Sequence, residues 1–154
     1  MIILRILELL LSKLNTKRLI KAGAEEAYPS HYKFIVMFHT FFLLFFLVRS
    51  FEDNVVNPNF LIFFCFLQFL RFKIIYDLGR FWTTRIIVIN KPLINTWIFK
   101  IFRHPNYIIV FFEVLTVCLI FNDLVLLVSF SLINVVLIFI RIYYEEKANL
   151  FRRN

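Results

Sequence analysis

The sequence predicts an all-α integral membrane protein, with four full transmembrane helices preceded by a short or truncated N-terminal helix. Three observations carry that expectation. Of 154 residues, 61% are hydrophobic, including 22 phenylalanines against only two glycines, and the mean hydropathy of +0.79 is one that a water-soluble domain hardly tolerates. Charged residues gather between the apolar runs instead of spreading along amphipathic faces. The runs have the length of bilayer-crossing helices, about 20 residues once flanking aromatics are counted.

Residues 1 to 11 are apolar but too short to cross, and they carry Arg5 and Glu8. They form either the tail of a truncated first span or an interfacial helix. No small-residue cleavage site follows, so they are not a secretory signal. Residues 12 to 22 predict a short basic helix along the cytoplasmic surface, ended by Gly23. The first full span covers roughly residues 33 to 51. The second, 55 to 76, has Pro58 suited to a first helical turn and ends in Arg71 and Lys73. Residues 77 to 102 then make a cytoplasmic loop longer than a connector needs, with Arg80-Phe81-Trp82-Thr83-Thr84-Arg85, a β-branched run from Ile86 to Ile89, and Asn90-Lys91-Pro92.

The third span, 105 to 122, starts at Pro105, whose missing N–H costs nothing in a first turn. Arg103 and His104 then stand at a helix N-terminus, where the backbone favours anions. Asn122-Asp123 makes a tight turn with Asp123 as N-cap, and the fourth span, 123 to 144, returns antiparallel. Two polar clusters, Arg103-His104-Pro105-Asn106-Tyr107 and Arg141-Ile142-Tyr143-Tyr144-Glu145-Glu146, thereby meet on one membrane face. The chain divides as a single membrane domain: an N-terminal helix fragment with a basic segment at 1–32, a first helical hairpin at 33–76, and a functional loop with the C-terminal hairpin at 77–154.

A net charge of +8 invites a nucleic-acid reading, but the distribution argues against it. Of 18 Lys and Arg, five fall in 12 to 33, seven in 71 to 103 and four in 141 to 154, whereas the connection after the first span holds Glu52 and Asp53. By the positive-inside rule, 12 to 33, 71 to 104 and the C-terminus face the cytoplasm. The basic residues then serve topology and lipid headgroups, with no nucleic acid as partner. Cys65 and Cys118 lie singly in apolar runs, which supports neither a disulfide nor a metal.

Arg141 and Glu145 share a helix face, with Ser131, Asn134 and Ile138 above them in a thin polar seam. Glu113 lies near the middle of its span, where an unpaired carboxylate costs about 2.5 kcal/mol or more. It is either protonated or hydrogen-bonded to a neighbouring helix, or it shapes the floor of a polar cavity. His39 is expected to donate a hydrogen bond between helices.

Taken together, Arg103-His104-Pro105-Asn106-Tyr107, with Arg141 following 34 residues after Tyr107 and then Glu145-Glu146, resembles the isoprenylcysteine carboxyl methyltransferase family. The resemblance is strongest over residues 79 to 151. Asn15, Gly23-Ala24-Glu25, His31-Tyr32 and Gly79-Arg80-Phe81-Trp82-Thr83-Thr84-Arg85 add a similarity to its bacterial branch, which includes alkylpyrone O-methyltransferases. Trp97 and Phe99 stand where the family commonly shows Gly-x-Tyr. The resemblance implies S-adenosylmethionine as cofactor, held by His104, Pro105, Asn106 and Tyr107, with Glu145 contacting it from the last helix and Leu93, Ile94 and Phe99 lining it. Arg141 matches a substrate-contacting arginine.

The residue chemistry is compatible with that implication. The cofactor offers a carboxylate for a helix N-terminus, His or Arg, an ammonium for Glu145 or Glu146, and an adenine for aromatic packing. The expected reaction is methyl transfer to an oxygen, carboxylate or acidic enol, of a lipophilic acceptor such as a prenylcysteine-like or alkylpyrone compound. Arg141 would orient the acceptor and Glu145 would serve as base where one is needed. The expected setting is a bacterial cytoplasmic membrane with the site facing the cytoplasm. Two alternatives stand beside it: a membrane NADPH-dependent reductase of the sterol-reductase type, and a non-catalytic membrane subunit.

Overall fold

Helices dominate the residues that the computed structural model describes, which are 1–52, 57–89, 99 and 101–150. In chain order the elements are α1 (Ile2–Lys21), β1 (Glu25–Glu26), α2 (Pro29–Glu52), α3 (Pro58–Leu78), a 3-10 turn (Gly79–Phe81), β2 (Ile87–Val88), α4 (Pro105–Ile120) and α5 (Leu124–Leu150). Two of them, over Pro29–Phe51 and Leu124–Leu150, are long and apolar enough to cross a membrane, and α4 is apolar but shorter. The chain is thus a mostly helical protein with the character of an all-α membrane protein.

Local chemistry sets the helix ends. The Asn57 side chain accepts from the Asn59 N–H at 3.1 Å, with Pro58 in the first turn of α3. Asp123 Oδ1 accepts from the Leu126 N–H at 3.1 Å and caps α5, while Asn122 takes φ +50° to reverse the chain, a conformation asparagine tolerates. Contacts then climb α4 as they descend α5: Cys118 Sγ to the Leu126 carbonyl at 3.8 Å, Asn134 Nδ2 to the Val110 carbonyl at 3.4 Å, and Tyr107 to Arg141 at 3.2 Å. At the turn end, Asn57 N–H meets the Ile120 carbonyl at 3.5 Å and Arg49 lies 3.8 Å from Asp123. Phe38, Phe42 and Phe46 of α2 pack there against Val114, Val117, Cys118 and Phe130.

Residues 1–11 and 12–22, expected as separate segments, form one continuous helix. Its buried residues are Glu8, Ser12, Asn15, Thr16 and Leu19, while Ile3, Ile6, Leu7, Leu10 and Leu14 are exposed. A helix with its polar stripe inward and its apolar face outward suits lipid surroundings. A second departure from the all-α expectation is a short antiparallel pair, Glu25 with Val88 and Glu26 with Ile87, extended by Ala27 N–H to the Ile86 carbonyl at 2.9 Å.

The inward stripe of α1 ends in a cluster of four charges. The Arg71 guanidinium grips Glu8 with two parallel bonds, at 2.6 and 2.8 Å, and reaches Glu113 at 3.4 Å. Arg5 donates to Glu8 at 2.8 Å and also to Glu113, and Gln68 Nε2 donates to the other Glu113 oxygen at 2.6 Å. Glu113 is only 1% exposed. Its carboxylate therefore bonds neighbouring helices. His39 departs from expectation, because its Nδ1 meets the Ile35 carbonyl of its own helix at 2.9 Å.

Removing one member of a buried ionic cluster leaves an uncompensated charge. Glu113→Ala is expected to cost about 3–5 kcal/mol of stability. Arg103→Ala, which breaks a pair whose side chains are 65% and 40% exposed, should cost less than about 1 kcal/mol. Thermal unfolding of the two variants in one detergent checks this; equal midpoints would contradict it.

Candidate active site

The site is built where the turn-distal ends of α4 and α5 meet. Pro105 opens α4, and His104, the residue before it, makes no side-chain capping bond. Tyr107 follows within the first turn, its N–H on the His104 carbonyl at 3.1 Å and its ring stacked on the His104 imidazole with centroids 5.5 Å apart. The Tyr107 hydroxyl donates to Glu145 Oε2 of α5 and accepts from Arg141 Nε at 3.2 Å. A single phenol thus joins the two clusters.

Arg141 is buried and has two further partners. Nη2 donates to the Thr84 carbonyl at 2.9 Å, and Nη1 lies 3.1 Å from His31 Nε2. A guanidinium has only donors, so His31 Nε2 must accept, which fixes the imidazole as the neutral Nδ1–H tautomer. The His31 ring stacks on Tyr144 at 4.8 Å. No carboxylate among the described residues pairs with Arg141 directly, although Glu145 and Glu146 stand in the next layer. Arg141 is not the snorkelling, glutamate-paired arginine that a helix exit often carries.

Thr84 is itself held. Its N–H donates to Ser12 Oγ at 2.8 Å, and its hydroxyl bonds the Ser12 hydroxyl at 2.8 Å and the Tyr32 hydroxyl at 2.9 Å. Asn15 Nδ2 donates to both the Gly79 and Trp82 carbonyls, at 3.0 and 2.9 Å. The strap of residues 79–84 is therefore fastened to α1 along its whole length. Arg85 closes it against Glu26 at 2.7 Å.

The outer layer consists of Arg103, His104, Glu145 and Glu146. Arg103 Nη1 lies 3.1 Å from Glu146 Oε1, His104 Nε2 lies 3.5 Å from the same oxygen, and His104 Nδ1 lies 4.0 Å from Glu145 Oε1. His104 Nε2 is buried yet makes no hydrogen bond among the described residues. The inner layer faces a cavity of about 180 Å³, with Arg141, Tyr107, Thr84 and Asn106 at one end, Arg5, Glu8 and Arg71 at the other, and Ile35, Val36, Val110 and Leu137 as walls.

Of the residues singled out by sequence, His104, Tyr107, Arg141, Glu145 and Glu146 come together, and Pro105 is buried behind them. Asn106 lines the inner cavity. Phe99 packs against the Leu67, Ile74 and Ile109 cluster. Leu93, Ile94 and Trp97 lie outside the described residues. Sequence reasoning assigned no role to Ser12, Asn15, His31 or Thr84; all but Ser12 stand in motifs that carried the bacterial-branch similarity, and that was the signal available.

The chain is thus a helical protein of membrane character that gathers a buried cation, a phenol and a cation–imidazole–carboxylate group at one end of its helices. Residues 60–150, more than half of the chain, match the isoprenylcysteine carboxyl methyltransferase (ICMT) family. The chain is also 31% identical to YpbQ, an uncharacterized protein of Bacillus subtilis (strain 168), over 156 residues that cover 96% of this chain and 91% of YpbQ. No solved structure matches. The chain belongs to the ICMT family, whose reaction class is methyl transfer and whose methyltransferases use S-adenosylmethionine.

Asn15→Leu leaves the Gly79 and Trp82 carbonyls without their donor, at about 1–3 kcal/mol for each group left unpaired. Amide hydrogen exchange across residues 79–84 should accelerate in that variant while exchange in α5 does not. Unchanged protection of 79–84 would mean that Asn15 does not fasten the strap.

Proposed function

We propose that this chain transfers a methyl group from S-adenosylmethionine to an oxygen of a lipophilic acceptor, on the cytoplasmic side of the membrane. The observation that carries this reading is the Tyr107 hydroxyl, which bonds the acceptor-side arginine and the cofactor-side glutamate at once. The outer layer suits the amino-acid portion of the cofactor. Arg103 and His104 offer a cation and an imidazole nitrogen that makes no hydrogen bond among the described residues to a carboxylate, and Glu145 and Glu146 offer carboxylates to an ammonium. Bound there, the cofactor supplies an electrophilic methyl on a sulfonium.

The chain's own residues do the rest by position. Arg141 uses three of its five N–H groups on Tyr107, His31 and Thr84, leaving two for an anionic acceptor oxygen. Its burial without a directly paired carboxylate favours such an anion, because a buried cation lacks compensation until one arrives. A carboxylate or acidic enol is already nucleophilic, so alignment and exclusion of water supply most of the catalysis. A neutral hydroxyl would need Glu145 as base. The apolar walls suit a prenylcysteine-like or alkylpyrone compound entering from the lipid. The basic segments on the site's side of the chain support a cytoplasm-facing site in a bacterial cytoplasmic membrane.

Equilibrium binding of radiolabelled S-adenosylmethionine, with NADPH as rival, tests the reading on purified protein. Saturable S-adenosylmethionine binding without NADPH competition is expected, and its absence would sink the proposal. His104→Ala and Glu145→Gln should each weaken that binding about tenfold, the loss of a charge-assisted contact. Affinities within twofold of the parent would remove both residues from the cofactor site.

A further inference from the structure

We propose that the Tyr107 hydroxyl is a positioning group that couples the two sides of the site, so that the state of Arg141 sets how well Glu145 holds the cofactor. The inference rests on the methyltransferase reading for what Glu145 binds, and on the geometry for the coupling. A phenol has one hydrogen. Here it is committed to Glu145 Oε2, while the oxygen receives Arg141 Nε at 3.2 Å, so the hydroxyl has no freedom to serve either neighbour alone.

Consecutive hydrogen bonds polarise one another, and a cation donating to the phenol makes it a stronger donor to the carboxylate. Glu145 depends on that bond. Its side chain is 32% exposed, and among the described residues its other oxygen has only His104 at 4.0 Å. Arg141 depends on the same bond in return, because its remaining partners, His31 Nε2 and the Thr84 carbonyl, are neutral. Among the described residues, the Tyr107 phenol is the one route by which the buried guanidinium reaches a carboxylate. An acceptor anion arriving on Arg141 therefore alters the grip on the cofactor, and the cofactor alters the grip on the acceptor by the same factor.

A double-mutant cycle on the full chain in detergent micelles reads this without any acceptor. The probes are radiolabelled S-adenosylmethionine and S-adenosylhomocysteine, and the forms are the parent, Tyr107→Phe, Arg141→Gln and the pair. Tyr107→Phe keeps the ring on His104 and should weaken both ligands about tenfold. Arg141→Gln should weaken them severalfold, and the double variant should be no worse than Tyr107→Phe alone. Additive losses, or an unchanged affinity in Arg141→Gln, would overturn the coupling. Failure of the parent to bind either ligand would instead overturn the methyltransferase reading on which it rests.

His31 supplies a second measurement should Arg141→Gln fold poorly. His31→Leu, which removes the acceptor that holds Arg141, should shift S-adenosylmethionine affinity in the direction of Arg141→Gln, and His31→Gln, which can present an oxygen to it, should restore affinity. Equal losses in Leu and Gln variants would reduce His31 to packing and remove this support.

Discussion

A carboxylate almost wholly withdrawn from solvent among apolar helices is the constraint from which the arrangement follows. Glu113 of α4 is tolerable there only because α1 brings Arg5 and α3 brings Arg71 and Gln68. The bonds fix three helices in register. From Glu8, the same face of α1 continues through Ser12 and Asn15 at helical spacing, and these two hold the strap of residues 79–84. The strap presents the Thr84 carbonyl to Arg141. A charge balance in the middle of the bundle thus determines where the guanidinium sits at its rim.

The two arginine environments are opposites. Arg5 and Arg71 face Glu8 and Glu113, two cations against two anions, each carboxylate touched by both guanidinium groups. Such a cluster specifies an arrangement more than it adds stability. Arg141 is comparably buried but is surrounded by a phenol, an imidazole and a carbonyl. The cavity between them runs from a satisfied ionic end to an arginine with N–H groups to spare. Under the proposed reaction that asymmetry has a chemical sense, since a methyl acceptor needs orientation at one end only.

What the sequence disclosed was set by local chemistry. Pro58, Pro105 and Asp123 act within a turn of where they stand, so the starts of α3, α4 and α5 were readable from those residues alone. Tyr107 and Arg141 lie at similar distances from the Asn122-Asp123 turn, which made their meeting a matter of helical arithmetic. Arg5 and Glu113 are 108 positions apart, and no periodicity connects them. α1 also hid its role, because its inward face is polar and amphipathic logic turns it the wrong way round in lipid. The β1–β2 pair, two residues on each side, is too short to show alternation. His39 misled because an imidazole can satisfy itself on the carbonyl one turn back, and sequence spacing does not tell that from a bond to another helix.

Leu9 of α1 and Thr40 of α2 line the cavity and are also exposed on the outer surface. The cavity therefore lies beside the outer surface between these two helices. Under the proposed reaction an acid enters and a neutral ester or ether leaves. Methylation removes the charge that tied the acceptor to Arg141 and raises its preference for oil. Through a seam of this kind, turnover would run down a partition gradient: the chemistry itself converts a bound headgroup into a molecule that the membrane extracts.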